Sequence, residues 1–428
     1  MSFSNIMDSN SYQGGQLDDP LIAARNRVLG PAYRLFYEKP VHLVRASGTK
    51  LFDADGNDYL DAYNNVASVG HCHPHVIDAV TRQLSTLNTH TRYLHEGIVD
   101  YSQRLLATFP DPGPGGSYQI MYACTGSEVN DLALRVAAMH TGATGIIVTE
   151  EAYHGNTAAV NAISPSIGGR TSLGPHVRTV SPQLEPAEIA AAIADLRENG
   201  FGVSALIVDT IFSSDGIYPD PLVLAPAVSA VRAAGGVLIA DEVQPGFGRT
   251  GAGMWGFSRH GVVPELVTMG KPMANGMPVA AMVARGDVLA GFANEVPYFN
   301  TFGGNPVSMA AAAAVLDVIE GEQLIANAAA VGGDLRAEVT RLTAENPRIG
   351  EVRGAGLYLG VEVLDADGHP DRAAARWIVN AMRERRVLIS VCGAHGNVLK
   401  VRPPLVFSMS DVDRFVAEFG EVLASLAE

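Results

Sequence analysis

The chain has 428 residues, 47% of them hydrophobic and 18% charged, with 45 Gly and 24 Pro. At roughly 150 residues per domain, that material builds two to three domains and excludes a disordered chain or a miniprotein. Thirty Lys and Arg against 45 Asp and Glu leave a net charge of −15, a surface that repels nucleic-acid phosphates and anionic membranes.

Residues 1–20 are polar and lack the apolar core of a secretory leader, so they read as a mobile arm or a strap ordered by a partner. Residues 51–61 predict two short strands around the turn Asp55-Gly56-Asn57. From about residue 76, helical and strand patterns alternate. Residues 185–199 predict a helix with Pro186 in its first turn, Ile189, Ile193 and Leu196 on one face, and Gly200 as its stop. Residues 204–209 and 237–241 are uninterrupted apolar runs ending in Asp209 and Asp241, with a helical stretch at 225–234 between them. Such runs mark strands buried on both faces of a parallel sheet. The apolar run 309–316 is far shorter than a membrane span. Beyond about residue 320 a strand-rich stretch (349–363), a helix (372–384) and a final amphipathic helix after Ser410 predict a smaller α/β domain. The expected division is an N-terminal segment over 1–75 that packs with the small domain, a large α/β domain over 76–320, and the small domain over 321–428. The three scattered cysteines, Cys72, Cys124 and Cys392, form neither a disulfide framework nor a Cys-rich metal site, and suit a reducing, cytoplasmic setting.

Some motifs do not survive a test of context. Gly246-Phe-Gly248-Arg-Thr-Gly251 matches G-x-G-x-x-G, but the dinucleotide fingerprint needs its third glycine to enter a helix, and Gly251-Ala-Gly253-Met-Trp is a poor helix start. His71-Cys72-His73-Pro74-His75 crowds its would-be ligands around a proline, with no partner cluster at zinc-like spacing. Asp53-Ala-Asp55-Gly-Asn57-Asp58 misplaces the glycine of a calcium loop and has Asn64 where a bidentate Glu belongs. No metal site is expected.

Three features point in one direction. Cys124-Thr125-Gly126-Ser127-Glu128 leads into a helix whose free N–H groups can hold a phosphate, although taken alone an ordinary Ser cap is the better explanation of Ser127. Asp241 ends a central strand, where open α/β sheets bind ligands, and can pair with a cationic ring nitrogen. Lys271 follows another short apolar run, and desolvation there makes an amine nucleophilic. A phosphate cup, a carboxylate and a reactive lysine are together what pyridoxal phosphate requires.

With those residues, the chain from about residue 20 onward resembles the class III (omega) aminotransferase family of fold type I pyridoxal-phosphate enzymes. The resemblance rests on Tyr59-Leu60-Asp61, Gly70-His71-Cys72-His73-Pro74, Thr125-Gly126-Ser127-Glu128, Tyr153-His154-Gly155, Asp241-Glu242-Val243-Gln244, Gly270-Lys271, Thr301-Phe302-Gly303-Gly304-Asn305-Pro306 and Arg402-Pro403-Pro404. It implies a fold type I large domain with a mostly parallel sheet. It implies Lys271 as the Schiff-base lysine and proton shuttle, and Asp241 as the partner of the pyridine nitrogen. Thr125, Gly126 and Ser127 fall to the phosphate cup. Tyr153 is implied to stack on the ring with His154 beside it, Val243 to pack the opposite face and Gln244 to reach the ring hydroxyl. Asp209 stands where relatives usually carry Glu. Thr301 is implied to reach the phosphate of the neighbouring subunit, hence a homodimer.

On the substrate side the resemblance nominates Asn64, Val66 and Arg92, and sets Lys400 where relatives that use α-amino acids carry an arginine, with Arg402 two residues on and on the same strand face. A point-charge ammonium does not replace a bidentate guanidinium. The segments around Arg92-Tyr93, Arg104 and Tyr298-Phe299-Asn300 resemble the phospholyase-related branch. The leading expectation is amino transfer from a small amine or amino acid to a keto acid. Phosphate and ammonia elimination from a phosphorylated amino alcohol is the alternative. A nicotinamide oxidoreductase and a non-catalytic dimeric scaffold are the distant ones.

Overall fold

The computed structural model describes residues 19–426 apart from 168–172 and 219. All but the last two residues of the expected N-terminal arm lie outside the described residues. The chain opens with α1 (Pro20–Val28), β1 (Leu43–Ser47), β2 (Lys50–Asp53), β3 (Asp58–Asp61), α2 (Pro74–Leu84) and α3 (Glu96–Leu106). Then come β4 (Tyr118–Ala123), α4 (Gly126–Thr141), β5 (Ile146–Thr149), α5 (Ala158–Asn161), β6 (Val177–Val180), α6 (Pro186–Glu198), β7 (Ala205–Asp209), α7 (Leu224–Ala233) and β8 (Val237–Asp241). They are followed by β9 (Leu266–Met269), β10 (Ala280–Arg285), α8 (Gly286–Glu295) and α9 (Pro306–Gly321). The last part holds α10 (Leu324–Thr343), β11 (Ile349–Gly354), β12 (Leu359–Val363), α11 (Arg372–Glu384), β13 (Val387–Leu388), β14 (Ser390–Cys392), β15 (Val398–Val401) and α12 (Met409–Leu426).

The central sheet has the order β4-β10-β9-β8-β7-β5-β6, and β10 alone runs against the rest. Its uninterrupted apolar runs have a direct cause. Leu206, Val208, Leu238 and Ala240 enter one core, while the intervening Ala205, Ile207, Val237 and Ile239 enter another on the opposite face. Alternate side chains on both sides of a strand must therefore be apolar. The site grows from the carboxyl ends of β4, β7, β8 and β9, where the chain leaves the parallel strands.

Two smaller sheets complete the architecture, with orders β1-β2-β3-β13 and β11-β12-β15-β14. In the first, Val387 and Leu388 pair with Leu60 and Asp61, so the N-terminal hairpin is joined to a strand from the far end of the chain. The hairpin turn is held by the Asp53 carboxylate, which accepts from the N–H groups of Asp55 and Asn57 and from the Asn57 amide; it is a turn and no calcium loop. The second small sheet brings Lys400 on β15, and Arg402 just beyond it, toward the large sheet. Among the described residues, no helix is long and apolar enough to cross a membrane.

Candidate active site

The sequence Thr125-Gly-Ser-Glu128 starts α4 with a variant of the capping box, in which Glu128 reaches the residue before the cap. Glu128 N–H donates to Thr125 Oγ1 at 3.3 Å, while the Glu128 carboxylate accepts from Cys124 N–H and from the Thr125 hydroxyl, both at 3.0 Å. Thr125 is thus the N-cap, and Ser127 is not. The Ser127 hydroxyl exchanges hydrogen bonds with Asn156 at 3.1 Å in each direction. Gly155 must be glycine: its φ is +138°, and an added Cβ would run into the Ser127 hydroxyl. The first N–H groups of α4 have no partner within the helix and open, at its positive end, into a cavity of about 300 Å³.

Across that cavity stands Asp241, the last residue of β8 and almost wholly buried. Its Oδ1 accepts from Val243 N–H at 3.1 Å, and its Oδ2 accepts from the Asn130 amide at 3.0 Å and lies 2.8 Å from His154 Nδ1. Asn130 also donates to the His154 carbonyl at 2.7 Å and accepts from the Thr268 hydroxyl at 2.6 Å. The other ring nitrogen of His154 is buried without a hydrogen-bond partner. The carboxylate is therefore held by three donors, from the loop after β8, from α4 and from the loop after β5. Asp209, its register neighbour on β7, also lines the cavity but is turned to its own loop, where it accepts from Ile211 N–H and from the Ser213 hydroxyl. Burial raises the Asp209 carboxyl pKa.

Lys271 follows β9 and stands inside the cavity, open to its space but enclosed by protein. Loss of solvent around it, aided by the nearby Arg402 charge and opposed by Asp241, lowers its pKa from 10.5 to about 8. Tyr153, His154 and Val243 join the lining, as does Val66 from the loop after β3.

A second cavity of about 260 Å³ shares Tyr153, Gln244 and Lys271 with the first and ends at Lys400 and Arg402. Lys400 Nζ donates to the Ser213 carbonyl at 2.9 Å, and burial lowers its pKa. The Arg402 guanidinium lies 4.9 Å from the Tyr63 ring centre, donates to the Tyr63 carbonyl at 3.1 Å and is bonded to the Gln244 side-chain oxygen, which the Tyr358 hydroxyl also approaches at 3.3 Å. Neither cation is ion-paired with a carboxylate among the described residues. Gln244, expected at a ring hydroxyl, here faces Arg402.

Three nominated residues stand elsewhere. The Asn64 side chain accepts from Val66 N–H at 2.9 Å, bracing its own loop, and does not line the cavity. Arg92 is exposed with its guanidinium 4.1 Å from the Phe299 ring centre. Thr301 is exposed on a loop whose neighbour Asn300 donates to Glu128 at 3.1 Å, so it sits outside its own chain's cavity. Asn130, Thr268, Asn156 and Tyr358 are site residues that the sequence reading left without a role. The histidines of the 71–75 segment pair separately with Asp61, Glu322 and Asp317 and do not converge on a metal. The glycines at 246–251 form turns against α10, where an added Cβ on Gly251 would lie 2.7 Å from Ala329 Cα; no helix starts there.

A helix N-terminus for a phosphate, a carboxylate for a protonated ring nitrogen and a lysine of lowered pKa fit pyridoxal phosphate. The fit is close at Gly126, where a Cβ would come within 3.1 Å of Val243.

Comparison with known proteins agrees. A model of the aminotransferase class-III family matches residues 36–423. An alanine–glyoxylate aminotransferase 2-like protein of Drosophila melanogaster is 40% identical over 95% of this chain and 87% of its own length. Ethanolamine-phosphate phospho-lyase homolog 1 of Caenorhabditis elegans is 32% identical over 95% and 93%. A phospholyase from Arthrobacter, solved in complex with phosphoethanolamine, superposes with a TM-score of 0.91 at 42% identity, covering 95% of this chain and 99% of that one.

Proposed function

The chain belongs to the aminotransferase class-III family, a family of pyridoxal-phosphate enzymes, and from that premise we propose that it moves an amino group from a small amine or amino acid to a keto acid, with Lys271 tethering the cofactor and shuttling the proton. What supports this reading is the convergence on one cavity of the α4 N-terminus, Asp241 and the Lys271 amine, whose pKa is lowered to about 8. When bound, pyridoxal phosphate supplies a cationic ring that draws electrons from the carbon beside the substrate nitrogen. Thr125, Gly126 and Ser127 hold the phosphate at the helix end. Asp241 would keep a proton on the ring nitrogen, and Tyr153 and Val243, which line the same cavity, would hold the ring. Lys271, as the neutral amine, would take the proton from the substrate carbon onto Nζ and give it up to the carbon on the other side of the substrate nitrogen. Lys400 and Arg402 orient an anionic substrate group, with Val66 at the entrance.

The second cavity favours a second reading. Two cations without carboxylate partners suit a tetrahedral dianion, the group carried by phosphoethanolamine in the Arthrobacter phospholyase complex. With such a substrate the proton again goes to Lys271, but the adjacent C–O bond breaks and phosphate leaves with the electron pair. We further read Thr301, flanked by the exposed Phe299 and Phe302, as the residue that reaches the neighbouring subunit's cofactor phosphate in a homodimer. A cytoplasmic location remains the expectation from the sequence, and some relatives carry a mitochondrial designation.

The test is a panel of amine donors, phosphoethanolamine included, with and without pyruvate or 2-oxoglutarate. Keto-acid-dependent formation of the new amino acid supports amino transfer. Phosphate and ammonia released in equal amounts without any keto acid, and no amino transfer from any donor, would replace it with elimination.

A further inference from the structure

Away from the amine-handling cavities, a cleft of about 250 Å³ lies where the loop after β8 meets α10 and the β11–β12 turn. Two guanidiniums, Arg259 and Arg336, line it, and none of its lining residues is acidic. They sit near enough that the Arg336 charge adds to burial in lowering the Arg259 pKa, with the Asp220 charge opposing it. Thr250 lines the same cleft, is 95% buried by its 5% exposure, and its hydroxyl has no hydrogen-bond partner. A buried hydroxyl left unpaired is costly, so the Thr250 hydroxyl calls for an acceptor in the cleft. The wall is built of backbone: Gly332 and Gly356 touch so closely that a Cβ on Gly332 would run into the Gly356 carbonyl, so the cleft cannot easily collapse around its charges.

We propose that this cleft is a second anion site, separate from the amine-handling cavities, that takes a small tetrahedral oxyanion of the phosphate class between Arg259, Arg336 and the Thr250 hydroxyl. Guanidiniums match such oxygens with paired N–H donors, and the hydroxyl supplies a further one. The ligand also has a mechanical consequence. Arg336 donates to the Gly354 carbonyl at 3.1 Å, and Thr250 follows Arg249, whose buried guanidinium bonds Asn65, the Leu357 carbonyl and the Pro403 carbonyl. An anion bridging Arg336 and Thr250 therefore clamps the seam between the large sheet and the last part of the chain.

The experiment follows melting of the cofactor-loaded enzyme against inorganic phosphate, sulfate and phosphoethanolamine, with chloride at matched ionic strength. Phosphate and sulfate are expected to raise the melting temperature saturably in wild type and in Arg402→Ala, which removes the anion contact of the substrate chamber. Arg336→Ala, at an exposed position, is expected to weaken this effect roughly tenfold or more in affinity while leaving turnover unchanged. Thr250→Val is expected to melt higher than wild type in phosphate-free buffer, because it deletes an unpaired hydroxyl, and to gain less from phosphate. A response to phosphoethanolamine that survives Arg402→Ala extends the site to phosphomonoesters; one lost in that variant assigns the ester to the substrate chamber and leaves free phosphate as the ligand here. The proposal is overturned if phosphate acts no differently from chloride, or if its effect disappears in Arg402→Ala and persists in Arg336→Ala.

Discussion

His154 Nδ1 lies 2.8 Å from Asp241 Oδ2, and both side chains are almost wholly buried. Since the carboxylate accepts and the second ring nitrogen has no partner, the proton of the neutral imidazole belongs on Nδ1. The pair is a clamp on the orientation of the acid. Asn130 completes it by tying Asp241, the His154 carbonyl and Thr268 together.

Asn130→Ala removes a donor to a buried charge, worth about 1.5–3 kcal/mol. Turnover is expected to fall about ten- to a hundredfold, with the pH at which the cofactor's absorbance titrates displaced, a change that mere loosening of α4 would not cause. Asn130→Asp is expected to be worse, because it sets a second carboxylate beside the first. Absorbance titration of both variants checks the claim.

Lys271 must be neutral to attack the cofactor aldehyde. Its lowered pKa predicts that the rate of cofactor uptake by the apoenzyme rises with pH and levels above about 8, well below the 10.5 of an ordinary lysine. Arg402→Ala removes a charge that pushes this value down, so the rise moves to higher pH. Asp241→Asn removes one that holds it up, so the rise moves lower. Stopped-flow reconstitution against pH reads both directions.

Arg402→Ala also empties the anion end of the second cavity. KM for amines with a carboxylate or phosphate tail is expected to rise about ten- to a hundredfold, in line with loss of a hydrogen-bonded charge, while uncharged amines change little. Equal losses for both kinds of substrate would remove Arg402 from anion recognition. Lys400→Ala tested on the same panel separates the ammonium from the guanidinium.

Gly155→Ala forces a methyl toward the Ser127 hydroxyl at a backbone angle that L residues rarely adopt. It is expected to weaken cofactor binding about tenfold or more, with roughly 1–3 kcal/mol of strain as the source. Thr125→Ala, which removes the α4 cap, is expected to cost about 1 kcal/mol of stability. Equilibrium dialysis and thermal melting give the two quantities.

How much of this was legible in the sequence depended on the range of the contacts. The β7 and β8 runs announced strands buried on both faces, and their terminal acids, with Lys271 after β9, marked the ligand-facing ends of a sheet. Alternation along the strand also grouped Lys400 with Arg402, and both line one cavity. Asn130 and Thr268 carried no such signal. A polar residue in the first turns of a helix looks the same whether it meets water or a carboxylate from another strand, and only packing tells them apart. The cap at Thr125 was hidden for a related reason, since two hydroxyl residues separated only by Gly126 offered competing starts and the reach of Glu128 decided between them. Nor does the sequence show that the Asn64 amide oxygen is used locally, on Val66 N–H.

The central claim, that Lys271 carries the cofactor, has one most direct test. Borohydride reduction of the cofactor-loaded protein, followed by digestion and mass spectrometry, should fix a pyridoxyl-phosphate group on the peptide containing Gly270-Lys271 and nowhere else. A modified peptide from another part of the chain, or none at all from a fully loaded enzyme, would contradict the account.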